Sequence, residues 1–247
     1  MKCFIVGVGV VGGNLNRELE RLHCELYDKY KDIDTRTEGK NDVTFVCVDT
    51  PLVDGQVDVG GVESVIVEHM DVTKVFVIKS TVTVGFTDYL REKYGVHIIF
   101  SPEYYGGTQH CNNFDFAFTI LGGEKSDCVF VQNVLQNVYD ARHKFHIVDA
   151  KTAEMVKFME NSWLATKVTF CSEFFRACEK AGIYYEDVRQ LFTADPRVSP
   201  SHTFVYRDHP FYKSHCLDKD VPSIANQFDM KLLKSVIQIN EDVSKLY

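Results

Sequence analysis

Through the first 150 residues, short apolar runs alternate with amphipathic stretches. Residues 2–6, 24–28, 43–48, 74–79, 97–100, 117–121 and 144–148 have the length and the β-branched or aromatic content of buried strands. Between them, 14–22, 62–70, 87–94 and 127–138 repeat apolar residues every three or four positions, the period of a helix resting one face on a sheet. This alternation predicts an α/β domain with a doubly wound parallel sheet, because parallel strands need helical crossovers and are buried on both faces. At Thr152 the rhythm changes. One helical pattern runs from Ala153 to about Ala181 and stops at Gly182, and a shorter one covers 186–192. A loop from Thr193 to about Lys219 and a last amphipathic helix near 232–246 complete the chain, with no further strand. Two domains are expected, residues 1–150 and an all-helical 151–247, meeting near Val148 without a flexible linker.

Composition narrows the function. The 247 residues are 45% hydrophobic and 25% charged, the balance of an ordinary globular protein. The net charge of −8 repels a phosphate backbone, so nucleic acid is not an expected partner. No apolar run reaches the roughly 18 residues of a membrane span, and Met1-Lys2 leads straight into a strand, so a cytoplasmic protein is expected. The eight cysteines form no CxxC pair, which argues against a disulfide framework or a metal site and for reduced thiols.

Gly7-Val8-Gly9-Val10-Val11-Gly12 follows the first strand and opens a helix. In that setting glycines permit a tight turn and let backbone N–H groups and the helix N-terminus approach a pyrophosphate. The second strand ends in Asp28, 21 residues after Gly7, where a ribose diol needs an acceptor. Asp28 favours NAD and repels the 2′-phosphate of NADP, although Lys29 and Lys31 keep NADP open.

The stretch from Ala153 to Lys167, AEMVKFMENSWLATK, resembles the UDP-glucose/GDP-mannose dehydrogenase family. Val48-Asp49-Thr50-Pro51, Asp54-Gly55-Gln56-Val57-Asp58-Val59, Lys79-Ser80-Thr81-Val82, Ser101-Pro102-Glu103, Asp195-Pro196-Arg197-Val198 and Cys216-Leu217-Asp218-Lys219-Asp220 follow in the family's order. The resemblance implies an N-terminal Rossmann domain that binds NAD through Gly7, Gly9, Val10, Val11, Gly12, Asp28, Thr50, Pro51 and Thr81, followed by a helical domain for substrate and dimerisation. It also implies oxidation of a nucleotide sugar's primary alcohol to a carboxylate in two hydride transfers, through a cysteine thiohemiacetal and thioester. UDP-glucose is the expected substrate.

By the same resemblance Cys216 is the nucleophile and Asp220 a proton carrier, while Lys157 and Asn161, spaced i, i+4 on one helix face, steady the oxyanion. Thr81 and Glu103 orient or activate the hydrolytic water. Glu103, Tyr104, Lys157, Asn161, Arg197, Tyr212 and Cys216 contact substrate, with Arg197 reaching the partner subunit's substrate in a homodimer formed through helix 153–181. Lys219, Lys157 and a helix N-terminus near Asp218 are expected to lower the Cys216 pKa.

The chain also departs from the family. Gly107 replaces a second glutamate after Pro102-Glu103, and His209-Pro210-Phe211-Tyr212-Lys213-Ser214-His215 replaces a glycine-rich sugar loop. Ser172-Glu173 stands for Asn-Glu, and Thr83 for proline. The family's C-terminal nucleotide-binding domain has no counterpart in these 247 residues. That leaves a minimal enzyme, a fragment, or a chain that borrows the domain. Tyr206, Arg207, Phe211, Tyr212 and Lys213 are candidates for a compensating base- and phosphate-binding loop. Two other readings stand beside the leading one: a two-electron β-hydroxyacid-type dehydrogenase, which needs no cysteine, and a non-catalytic NAD- or sugar-nucleotide-binding subunit.

Overall fold

The computed structural model describes residues 1–105 and 116–247, in two compact units: 1–53 with 57–157, and 54–56 with 158–247. The first unit is built on strands β1 (Cys3–Val6), β2 (Glu25–Asp28), β3 (Ile33–Asp34) and β4 (Asn41–Val46). A short hairpin of β5 (Leu52–Val53) and β6 (Gln56–Val57) follows, then β7 (Thr73–Ile78), β8 (Ile98–Phe100), β9 (Phe118–Gly123) and β10 (Lys144–Val148). Eight of them form one sheet in the order β3-β2-β1-β4-β7-β8-β9-β10.

Side-chain alternation splits its core in two. Ile5, Phe45 and Val77 point to the face covered by helices α1 (Val10–Glu18) and α4 (Lys125–Leu135), where they meet Leu15 and Val131. Phe4, Val46, Phe76 and Phe100 point to the other face, packed by α2 (Gly60–His69) and α3 (Phe86–Tyr94) through Val62, Ile66 and Leu90. Each such fully buried side chain contributes about 1.5–3 kcal/mol.

The sheet is mainly parallel, as the alternation predicts, but β3 runs antiparallel to β2 and β9 antiparallel to β8. The strand–helix alternation favours parallel pairing for the sheet as a whole and does not fix the direction of each strand.

Helix α5 (Ala150–Ala181) starts before the expected Ala153 because Asp149 caps it, accepting from the Thr152 N–H at 2.9 Å and its hydroxyl at 2.6 Å. It ends where the sequence places the stop: Gly182 adopts φ 70°, and Ile183 N–H returns to the Cys178 carbonyl at 2.9 Å.

In the second unit, Cys171, Phe175 and Cys178 of α5 pack against Tyr185 and Val188 of α6 (Tyr185–Phe192) and against Val205. Helix α7 (Leu217–Gln227) packs on α8 (Lys231–Ser244). The α8 residue Asn240 brackets the Tyr212 backbone, accepting from its N–H at 2.9 Å and donating to its carbonyl at 3.0 Å.

Helix α7 corrects the sequence reading, which leaves this segment as loop as far as Lys219. Pro222 lies inside the helix and breaks the local pattern by removing a donor. Burial of Leu217, Val221, Ile224 and Ala225 outweighs that loss. Among the described residues, no helix is long and apolar enough to cross a membrane.

Candidate functional site

The chain reverses its winding between β1 and β4. The crossover from β1 leads to β2, that from β4 leads to β7, and ligands of open α/β sheets bind at the carboxyl ends of such strands. The glycine turn lies there. Gly7 adopts φ 88°, and a Cβ on it would sit 2.7 Å from the Cys47 carbonyl oxygen. A Cβ on Gly12 would sit 1.9 Å from the Gly7 carbonyl oxygen. These two glycines are therefore set by packing. Gly9 differs, because a Cβ there would meet nothing within 4 Å. Gly9 is also the N-cap of α1 and supplies no side-chain cap, so the helix offers its first N–H groups to an anion.

Asp28 is pinned beside this turn, accepting from the Val8 N–H at 2.8 Å and the Tyr30 N–H at 3.0 Å. A carboxylate has about four acceptor positions, so two remain for a ribose diol. Lys31, which the sequence leaves as a possible NADP contact, donates to the Val8 carbonyl at 2.7 Å. The turn, the open α1 terminus and Asp28 together fit a dinucleotide.

The ends of the next strands carry the polar groups of the first unit. After β4, buried Thr50 donates its N–H to Asp49 at 2.9 Å, with exposed Pro51 beside it. After β7, Thr81 is buried. After β8, buried Glu103 meets Lys157 of α5, whose ammonium donates to the Glu103 carbonyl at 2.7 Å and its carboxylate at 2.9 Å. The other carboxylate oxygen accepts from the Tyr105 N–H at 2.8 Å. Tyr104 is half-buried, its ring stacked on Phe116 at 5.0 Å.

The second unit holds the other cluster. Asp220 is fully buried on α7 and accepts from the Asn161 amide at 2.6 Å and from Lys219 at 2.8 Å. Half-buried Cys216 is the N-cap of α7, and its carbonyl accepts from the Asp220 N–H at 2.9 Å. Helix α7 thus starts directly after the thiol, two residues before the expected start, and Lys219 is engaged by Asp220. Arg197 is exposed and paired with Asp195 at 2.6 Å. Tyr212 is buried, so of the proposed base-binding loop Tyr206, Arg207 and Lys213 remain exposed and Phe211 half-buried. Gly107 and Cys111 lie outside the described residues.

Sequence reasoning missed several buried polar groups. Glu154 has no exposed surface and caps α3, accepting from Gly85 N–H at 2.6 Å, Thr87 N–H at 3.0 Å and Thr87 hydroxyl at 2.6 Å. Burial pushes its carboxyl pKa up, against those donors. Lys79 donates to the Ser101 hydroxyl at 3.1 Å; burial pushes its pKa down, opposed by the attraction of Glu18 and Glu103. Their only sequence signal was charge inside an otherwise apolar pattern.

Together the switch-point turn and Asp28 define a dinucleotide-binding α/β unit. Residues 15–143 match the NAD-binding domain of the UDP-glucose/GDP-mannose dehydrogenase family and residues 151–242 its central domain, so the chain belongs to that family. It is 27% identical to the UDP-glucose 6-dehydrogenase of Rickettsia prowazekii over 216 residues and to that of Bacillus subtilis over 220, covering 81% of this chain and 49% of each relative. The chain therefore spans about half the length of these curated relatives. A UDP-glucose dehydrogenase structure from Pyrobaculum islandicum superposes with a TM-score of 0.80 at 21% identity, covering 97% of this chain and 68% of that one. A UDP-D-ManNAc dehydrogenase from Pyrococcus horikoshii gives 0.78 at 19% identity, over 98% and 69%. These likenesses establish the fold.

Proposed function

We propose that this chain provides the redox and thiol chemistry of an NAD-dependent nucleotide-sugar 6-dehydrogenase, with UDP-glucose as substrate. The observation that carries the reading is that buried Lys157 and Asn161, one turn apart on α5, each hold a buried carboxylate, Glu103 and Asp220 respectively. Charged groups are kept out of water at such cost chiefly where chemistry uses them.

When bound, NAD would be held by the glycine turn and Asp28 and would supply the hydride acceptor for each oxidation. The Asp220 carboxylate, or Lys157 once its ammonium has passed a proton to Glu103, takes the hydroxyl proton as the alcohol becomes an aldehyde. The Cys216 thiol gives up its proton to solvent and its sulfur bonds to the aldehyde carbon as the C=O π bond opens, giving a thiohemiacetal oxyanion that Lys157 and Asn161 steady. After the second oxidation the carbon is a thioester. Water oriented by Thr81, Glu103 or Asp220 adds to it; the carbon–sulfur bond breaks, releasing the acid and restoring the thiol.

A homodimer through α5 is part of the proposal. Met159, Trp163, Phe170 and Phe174 are exposed and form one stripe along that helix. Arg197, held at the surface by Asp195, is the residue offered to the partner's substrate.

The test is NADH released per UDP-glucose consumed by the purified chain, with product mass recorded. Two NADH and a new carboxylate are expected, and Cys216→Ser should stop at or after the aldehyde. One NADH that survives Cys216→Ala would replace this reading with two-electron oxidation. NAD binding without turnover of any of a panel of nucleotide sugars would replace it with a binding subunit.

A further inference from the structure

Behind the Glu103–Lys157 pair lies a second layer of polar contacts that the reaction as proposed does not use. Glu18, at the last turn of α1, accepts from two phenols, Tyr105 and Tyr139. Both tyrosines are half-buried, and burial pushes their phenol pKa values up, with Glu18 adding to the effect. They therefore stay protonated and act as donors. Tyr139 is fixed by its own neighbours, stacked on His143 at 3.9 Å with 8° between the rings. Its contact holds the Glu18 carboxylate from one side, and Tyr105 reaches the same carboxylate from the loop after β8.

The loop contact matters because of what the Tyr105 backbone does. Its N–H donates at 2.8 Å to one carboxylate oxygen of Glu103, whose other oxygen holds Lys157 at 2.9 Å. A side chain anchored 87 residues away in sequence thus fixes the peptide that aims Glu103.

We infer that Glu18, through Tyr105, is a positioning residue that locks the loop after β8 so that Glu103 presents a fixed carboxylate to Lys157. Glu18 and the Tyr105 hydroxyl touch neither cofactor nor substrate in this scheme; they act through Glu103. The catalytic consequence rests on the proposed function, whereas the lock itself does not.

The experiment measures acetylation of individual lysines by sulfosuccinimidyl acetate, read by mass spectrometry on the native chain, in Glu18→Gln and Tyr105→Phe. Lys157 should react about fivefold faster in each, the scale of one lost hydrogen bond. Lys167 and Lys219, both buried in the second unit, should keep their rates, and NAD affinity should stay within about twofold. Unchanged Lys157 labelling overturns the inference. So does a rise at all three lysines together, which would mean general loosening. If the enzyme turns over, kcat should fall about tenfold in both variants with KM for NAD unchanged. No turnover in the parent chain together with selective Lys157 labelling would defeat the proposed function and leave the lock standing.

Discussion

The Asn161 amide donates to the Asp220 carboxylate across 2.6 Å, and the same carboxylate receives Lys219 at 2.8 Å on its other oxygen. With Asp220 fully buried and Lys219 8% exposed, neither charge has enough water to stand alone. Removing the acid leaves a buried ammonium and an unpaired amide. Asp220→Ala should lower unfolding free energy by about 3 kcal/mol, measured by urea denaturation. Lys219→Met combined with Asp220→Leu should recover part of the loss, and a double variant as unstable as the single would show that the pair's charges are not the cause.

The space over Gly9, at the N-cap of α1, is open. Gly9→Ala should leave the thermal midpoint unchanged, since the added methyl group meets nothing within 4 Å. It should weaken NAD binding about tenfold by blocking close backbone approach to the pyrophosphate. Gly12→Ala should lower the midpoint as well, because its Cβ would sit 1.9 Å from the Gly7 carbonyl oxygen. Calorimetric titration with NAD and thermal melts of both variants distinguish the two roles.

Glu154 makes stability fall as pH rises. Burial raises its folded-state pKa above the unfolded value of about 4.3. Its stabilising contribution is therefore complete below that unfolded value and is lost as pH climbs through the raised folded value, because the unfolded chain releases the proton first. Glu154→Gln should remove this slope. Urea denaturation of both proteins from pH 4 upward would show parallel curves if Glu154 were not responsible.

Thiol reactivity should single out the proposed nucleophile. Burial pushes Cys47 and Cys128 up to about 12, so at pH 8 only about one molecule in ten thousand carries either thiolate. Cys216, half-buried at the start of α7, should react with iodoacetamide at least about tenfold faster than either. Peptide mapping at short times checks the order, and equal rates would count against Cys216.

The exposed stripe on α5 predicts self-association. Trp163→Glu should shift the sedimentation coefficient from dimer to monomer without changing NAD affinity, because a charge at the centre of an apolar contact is costly to bury. A wild-type chain that sediments as a monomer would remove the dimer from the proposal.

Local rules made the seven longer strands, most of the helices and the nucleotide turn legible, but not β3 or the β5–β6 hairpin. Gly182 stops α5 because a left-handed residue is needed at that position, and Gly7 precedes α1 because its left-handed turn and close approach to the Cys47 carbonyl require it. The order of motifs from Gly7 to Asp220 was likewise written in the chain and pointed to the family that the domain matches then showed. Of helix α7 only an N-terminus near Asp218 was legible and its extent to Gln227 was not, because Pro222 breaks the local signal and burial of Val221 and Ile224 restores the helix.

Only the tertiary structure decided which buried polar groups meet. Lys157 finds Glu103 from 54 residues away, Asn161 finds Asp220 from 59, and Glu154 caps a helix 67 residues upstream. It also decided that β9 runs against β8. A residue pattern records which positions favour burial, since hydrophobicity belongs to the side chain, although Glu154 is buried and Trp163 exposed against that preference. It does not record the partner, because that depends on where the sheet order brings distant segments of chain together.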